Sequence, residues 1–488
     1  MSESGSRGWD VETDVVVVGF GAAGCSAAIA AHDAGAQVLV LEKMAAGREG
    51  GSTRVSGAVW FENRDPERAA TYLRSLSAGR PVPEPVVQTW ARETARNTEW
   101  MQSLGITVGL AVPAPPEYPE LEGSDVMTGW IGVDGKMGGG LLWSALAEAV
   151  RSRGIEVRLR TPARELVVED GVITGLLATA ADGTGLRIRA RRGIVLATGG
   201  FEADPGMVRD HLGLTDPVIW GSPAATGDGH RMALQAGADL WHMANMMTLP
   251  GLRAPGYEAG FYTAFPYSKA YIYLGRDGRR CCNETVALRH GHARIHGSYQ
   301  LFPTEPMVIL FDESARRAGP IVPGRDVLAV SWAQQIEGYD WSPDNTAEID
   351  KGWIHRAGTL PELAALLDVD PNTLQHTVDR YNAACAAGAD DQFSRHPRTL
   401  APLTEAPYYA FSSAPILAWS NGGPRRNENA QVLDPFGEVI PALYAAGNLS
   451  STYSWSKDGG FHIADALAFG RTAGHHAATH HPRTPSGL

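Results

Sequence analysis

The sequence predicts an α/β protein built around a doubly wound, Rossmann-like sheet, and three observations carry that prediction. Residues 14–18 (DVVVV) form a short β-branched apolar run, followed at once by Gly19-Phe20-Gly21-Ala22-Ala23-Gly24 and an alanine-rich stretch to Ala34. Residues 191–201 (RRGIVLATGGF) and 443–448 (LYAAGN) are two later strand-like runs that also end in glycine. The chain carries 56 glycines among 488 residues, above the usual share of about 7%, in short clusters from one end to the other.

The elements follow in order. Residues 14–18 read as a buried strand. The alanine-rich stretch reads as a helix, which Gly35 stops, and residues 37–41 form a second strand ending at Glu42. GxGxxG alone is a weak signal. Here it follows a strand, opens a helix and has an acid 18 residues beyond Gly24, the context of a dinucleotide-binding turn. Gly19 makes the tight turn, Gly21 lets backbone approach a pyrophosphate, and Gly24 lets helix pack on strand. The amides at Ala22 and Ala23 open the helix toward phosphate, and Glu42, next to Lys43, can accept ribose hydroxyls. After Lys43 comes a series of small residues, among them Gly50, Gly51, Ser52, Thr53, Ser56 and Gly57. Such a series lets backbone lie flat against a large planar group. The strand at 191–201 delivers Thr198, Gly199 and Gly200, and the one at 443–448 delivers Gly447 and Asn448. Asp458-Gly459-Gly460 then opens a closing helix through His462 and Ile463 to Gly474.

Composition excludes several classes. A net charge of −12 is not the footprint of a nucleic-acid binder. No run of about 18 apolar residues predicts a membrane span, and MSESGSRGWDVET lacks the apolar core of a signal peptide. Four cysteines, two of them the neighbours Cys281 and Cys282, cannot build a disulfide framework, so the expected compartment is reducing and cytoplasmic. The terminal HHAATHHPRTPSGL is read as a solvated tail rather than a metal site. No metal is expected, because His290 and His292 have no third ligand at metal spacing.

Taken together, GFGAAG, GGSTRVSG, VLATGGF, TGDGHRMA, LYAAGN and DGGFHIADALAFGRTAG stand in the order found in one family. From about residue 14 to 476 the chain resembles the fumarate reductase/succinate dehydrogenase-like FAD flavoproteins. That superfamily includes 3-ketosteroid dehydrogenases, urocanate reductase and tricarballylate dehydrogenase. The resemblance implies a doubly wound FAD-binding domain interrupted by a smaller α+β capping domain. The expected division is a disordered N-terminus at 1–13, FAD domain at 14–240, mobile cap at 241–358, FAD domain again at 359–476, and a flexible tail at 477–488. It further implies that Gly50, Gly51, Ser52, Ser56 and Gly57 run beside the isoalloxazine. Ala163 and Arg164 belong to a segment meeting the adenine end. Asp228 would stand near the ribityl–phosphate region, Gly447 and Asn448 near the ribityl chain, and the last helix would aim its positive end at the flavin.

Departures from the family are informative. Covalent members carry a histidine six residues before the GGS motif, where this chain has Met44, so FAD is expected to be noncovalent. No haem or iron–sulfur motif and no second NADPH fingerprint is present. WIGVDGKM, before Gly138-Gly139-Gly140, lacks a clear buried strand. The electron partner is therefore a separate one.

The resemblance also implies where acid–base chemistry resides. Fumarate and tricarballylate members use an arginine four or five residues past a cap glutamate, which points to Arg289, five past Glu284; an exposed arginine paired with an acid is the alternative. Dicarboxylate members place a histidine before the proline where this chain has Leu249, and a histidine and an arginine where it has Tyr453 and Lys457. A small dicarboxylate is thus disfavoured. Tyr453 could polarise a carbonyl or act as acid/base. Tyr257, Phe265, Trp455 and His462 would join Lys457 in contacting substrate, with plain cap packing the alternative for any one aromatic. The expected activity interconverts C–C single and double bonds adjacent to a carbonyl, as in ketosteroid or cyclic-ketone dehydrogenases, with hydride moving to or from flavin N5. The alternatives are reduction of an unsaturated carboxylate, oxidation of a C–N or C–O bond, or, outside catalysis, a flavin-binding protein.

Overall fold

Val15, Val16 and Val17 are completely buried, because β-branched side chains suit a strand covered on both faces. The computed structural model describes residues 8–138, 140–285, 289–295, 297–302, 307–325 and 330–480. The elements that position the site are β1 (Val11–Val18), α1 (Ala22–Asp33), β2 (Val38–Leu41), α2 (Gly51–Val55), β3 (Gly185–Leu196), β4 (Met246–Arg253), β5 (Tyr408–Ser420), β6 (Val439–Ala445) and α3 (Phe461–Thr479).

Among the described residues the first sheet has eight strands, in the order 431–433, β6, β3, β1, β2 and 156–158, with the hairpin 163–169/172–179 beside β3. β1 runs parallel to both β2 and β3, and β6 runs parallel to β3. This is the doubly wound arrangement the sequence predicts, and it brings the carboxyl ends of four strands together. Gly19, at φ +106°, makes the turn out of β1; a Cβ there would lie 2.3 Å from the Ala197 carbonyl oxygen. One Cβ at Gly24 would stand 1.9 Å from the oxygen of Gly19, and one at Gly474 would stand 2.0 Å from that of Ala27. Glycine thus lets α1 sit close to its own turn and lets α3 press against α1.

The second sheet has seven strands among the described residues, in the order 260–262, β4, β5, 307–312 and 271–274, with 218–219 and 355–357 also on β5. Its core includes Ile272, Ile309, Phe311, Leu363, Tyr381 and Phe411. Here the expected division needs correction. Residues 359–420, assigned to the returning FAD domain, pack with this second sheet: the helices Leu360–Leu367 and Pro371–Ala387 bury Leu363 and Tyr381 in its core, and β5 runs through its centre. Return to the first sheet comes only at 431–433 and β6.

Both termini differ as well. Strand β1 begins at Val11, and Asp10 donates its backbone N–H to Arg187, so residues 8–13 are ordered. Helix α3 continues to Thr479, inside the expected tail. Residues 1–7 and 481–488 lie outside the described residues. Trp130–Val133 is a strand after all, but in a separate antiparallel three-stranded sheet rather than a second nucleotide unit. Among the described residues, no helix is long and apolar enough to cross a membrane.

Candidate active site

A long cavity runs along the carboxyl ends of β1, β2, β3 and β6 and opens beneath the second sheet. One wall carries Gly19, Gly21, Ala22 and Ala23 from the β1–α1 turn, Glu42 and Lys43 from the end of β2, and Gly50, Gly51, Ser52, Thr53, Ser56 and Gly57 from α2 and its flanks. Helix α1 has no side-chain cap, which leaves first-turn amides for an anion. Thr53 Oγ1 accepts the Ala22 N–H at 2.9 Å and ties α2 to that turn. Glu42 is held by the N–H groups of Phe20 (3.1 Å) and Met44 (2.8 Å). Burial raises its pKa and those two amides oppose the rise. Ala163, Thr198, Gly199, Asp228, Gly447, Asn448, Gly460 and Ile463 complete the wall. Thr198 Oγ1 is buried with no partner among the described residues, a polar atom that a bound molecule would satisfy.

The opposite wall is organised around Trp419, near the end of β5. Lys457 Nζ lies 4.3 Å from the Trp419 ring centre, and the rings of His462 and His290 lie 5.1 and 5.7 Å from it. Trp130, Met137, Trp220, Met247 and Val330 add apolar surface. Lys457 is buried, and burial pulls its ammonium down to about 7 against the opposing charges of Glu117 and Asp458. His290 Nδ1 stands 2.5 Å from Glu117 Oε1 at the cavity margin, a contact that becomes an ion pair when the ring is protonated. Burial, then Lys457, lowers the His290 pKa, and Glu117 raises it. Burial also drives His462 well below its ordinary range, and its Nε2 has no partner among the described residues. The site thus offers one cation near its titration point and two imidazoles kept neutral at pH 7.

A family model described as an FAD binding domain matches residues 14–465. The chain belongs to this FAD-binding family. It is an FAD-dependent oxidoreductase of the fumarate reductase-like superfamily, as its sequence motifs imply. It is 27% identical to the vinyl phenol reductase of Lactiplantibacillus plantarum over 95% of this chain and 96% of that one. It is 29% identical to the urocanate reductase of Eggerthella lenta over 97% of this chain and 75% of that one. Among solved structures, its fold is similar to that of the 3-ketosteroid delta1-dehydrogenase from Sterolibacterium denitrificans, at TM-score 0.79 and 23% identity over 96% of this chain and 99% of that one.

The flavoprotein's expected residues divide cleanly. All expected cofactor residues line the cavity except Gly24, Gly200 and Arg164. Gly24 serves α1 packing. Gly200 faces inward, where a Cβ would lie 2.2 Å from Glu202 Oε2. The exposed side chain of Arg164 reaches only the Thr179 hydroxyl, at 3.4 Å. Asp228 lines the cavity, and its carboxylate pairs with Lys43 Nζ at 2.7 Å.

On the substrate side, Lys457 and His462 line the cavity, whereas Arg289, Tyr453, Tyr257, Phe265 and Trp455 do not. Arg289 is turned to Glu120 between the rings of Tyr118 and Tyr299. The neighbouring His290 faces the cavity in its place. Tyr453 is fully buried: its hydroxyl donates to the Phe461 carbonyl at 2.5 Å and accepts from Trp90 Nε1 at 2.9 Å, leaving nothing for a substrate. Phe265 stacks on Tyr271 in the second core, Tyr257 stacks on Phe261, and Trp455 donates to the Tyr299 carbonyl with Arg80 over its face. Sequence reasoning missed Trp419, Trp220, Met247 and Glu117. It named His290 only in setting aside a metal site.

Proposed function

We propose that the chain interconverts a carbon–carbon single and double bond adjacent to a carbonyl on a flat, largely apolar substrate of the cyclic-ketone or ketosteroid kind. The observation that carries this reading is the wall around Trp419, where three tryptophans and two methionines surround a single lysine. A broad apolar slot with one convergent cation and with Trp419 Nε1 and His462 Nε2 buried and unpartnered among the described residues suits a ring bearing one polar acceptor. Two separated carboxylates would leave one charge without a partner. FAD, held noncovalently, supplies the hydride acceptor or donor when bound. Lys457 anchors the electron-withdrawing oxygen, and the Trp419, Trp220 and Met247 side chains exclude water. His290, backed by Glu117, moves the proton. The electron partner is a separate molecule, and four unpaired cysteines favour a reducing, cytoplasmic compartment.

Reduction of a conjugated double bond on a phenolic or carboxylate substrate is the second reading. Lys457 would serve such an anion equally well, and the vinyl phenol reductase relative is named for a ring of this type. An anaerobic screen of holoenzyme, followed by flavin absorbance, separates the two. Bleaching by saturated cyclic ketones supports dehydrogenation. Re-oxidation of the reduced enzyme by vinyl phenols or unsaturated carboxylates supports the second reading, a response confined to fumarate-like diacids overturns the first, and a response to none of these overturns both.

A further inference from the structure

Behind the cofactor wall lies a carboxyl group that neither the nucleotide fingerprint nor the substrate wall uses. Glu202 is 2% exposed. Its Oε2 accepts the Ser420 hydroxyl at 2.8 Å and the Ser420 N–H at 3.3 Å, while the Ser420 oxygen accepts the Phe201 N–H at 2.7 Å. Its Oε1 accepts the hydroxyl of Ser52 at 3.5 Å, and Ser52 lines the cavity. Gly200 and Gly221 make room for the carboxyl, since a Cβ at either would lie 2.2 Å from Oε2 or 3.3 Å from Oε1. Facing it from α2 and β5 are two serine hydroxyls, and no ion pair reaches it among the described residues.

We propose that Glu202 is a positioning residue that sets the direction of the Ser52 hydroxyl, and so decides whether this point of the cofactor wall offers a hydrogen-bond donor or an acceptor. The logic is one of proton count. The Ser420 hydroxyl hydrogen and the Ser420 amide both point at Oε2, so a proton taken up by Glu202 resides on Oε1, facing Ser52. When Glu202 is ionised, Ser52 donates to it and turns lone pairs toward the cavity. Once Glu202 is protonated, its O–H is given to Ser52 Oγ, whose own hydrogen turns toward the cavity. Burial raises the Glu202 pKa to about 7, with the bonds from its own backbone N–H, then from Ser420 and Ser52, opposing, so both arrangements are populated near neutrality.

The test follows the absorbance of oxidised, substrate-free holoenzyme between about pH 5.5 and 8.5, a window centred on the shifted group. Lys457 and Asp458 also titrate near 7, so variants assign the transition. The wild-type flavin band is expected to shift with one midpoint near pH 7. Glu202→Gln and Ser52→Ala are each expected to abolish that shift, and Lys457→Met to retain it. A flat wild-type titration, a shift surviving in either Glu202→Gln or Ser52→Ala, or a shift lost only in Lys457→Met overturns the proposal. If Glu202→Gln yields no holoprotein, Ser52→Ala, on the cavity surface, decides by the same criterion.

Discussion

His290 Nδ1 lies 2.5 Å from Glu117 Oε1, so a half-buried imidazole at the cavity wall has a carboxylate against one nitrogen and the ring tilted toward Trp419. The carboxylate is the group holding the His290 pKa up against burial. Replacing Glu117 by Gln therefore lowers that pKa further, and the acid limb of the kcat/KM profile should move to lower pH. His290→Ala should reduce kcat by about 10²–10⁴-fold, the range for loss of a general acid or base, with the flavin spectrum unchanged. Full activity in His290→Ala would remove the histidine from the mechanism.

Lys457 carries a linkage signature. Its pKa falls from 10.5 to about 7 on folding, so the unfolded chain holds the proton more tightly. The stabilising contribution is whole above about pH 10.5 and is lost as pH falls through about 7. Lys457→Met should flatten the dependence of Tm on pH in this range while raising KM for a carbonyl substrate roughly tenfold or more. Thermal melts of wild type and variant at several pH values check the first part. Equal slopes in the two would contradict the assignment.

Tyr453→Phe distinguishes a structural hydroxyl from a catalytic one. The change strands Trp90 Nε1 and the Phe461 carbonyl, both inside the core, at a cost of roughly 1–3 kcal/mol. Chemical denaturation should show that loss, and kcat should stay within about twofold of wild type. A large fall in kcat at unchanged stability would restore the tyrosine to the reaction.

Two glycines in one turn should behave differently. A Cβ at Gly24 would collide with the Gly19 oxygen at 1.9 Å, whereas one at Gly21 would meet Thr53 Oγ1 at 3.3 Å and the Gly50 carbonyl oxygen at 3.6 Å. Gly24→Ala is expected to destabilise the fold by about 3 kcal/mol or more. Gly21→Ala should leave the apoprotein's melting curve nearly unchanged and weaken FAD by at least about tenfold. Isothermal titration with FAD and melting of the apoprotein read the two effects separately.

The nucleotide half of the molecule was legible because its glycines record where backbone must touch backbone or ligand. Gly19, Gly24 and Gly474 each show such an approach. The second sheet was harder to place. β5 reads YYAFSSAPILAWS, an apolar run with no dinucleotide glycine, and nothing in its pattern says which sheet it joins. On the substrate wall the sequence located the right segment but the wrong residue. Arg289 and His290 stand side by side in an irregular stretch without helical or strand periodicity, so no pattern could say which one faces the cavity. Tyr453 fell where family position suggested contact, yet its hydroxyl satisfies the Phe461 carbonyl within the chain's own core.

Strand β5 joins what a hinged lid would keep apart. It is the central strand of the second sheet, and its last two residues are Trp419, on the cavity wall, and Ser420, which grips Glu202 behind it. Roof and floor are in this sense one length of backbone. Lifting the sheet as a rigid plate would pull the indole off Lys457 and His462 and break the serine's grip in a single stroke. Traffic through the mouth must therefore leave this beam seated.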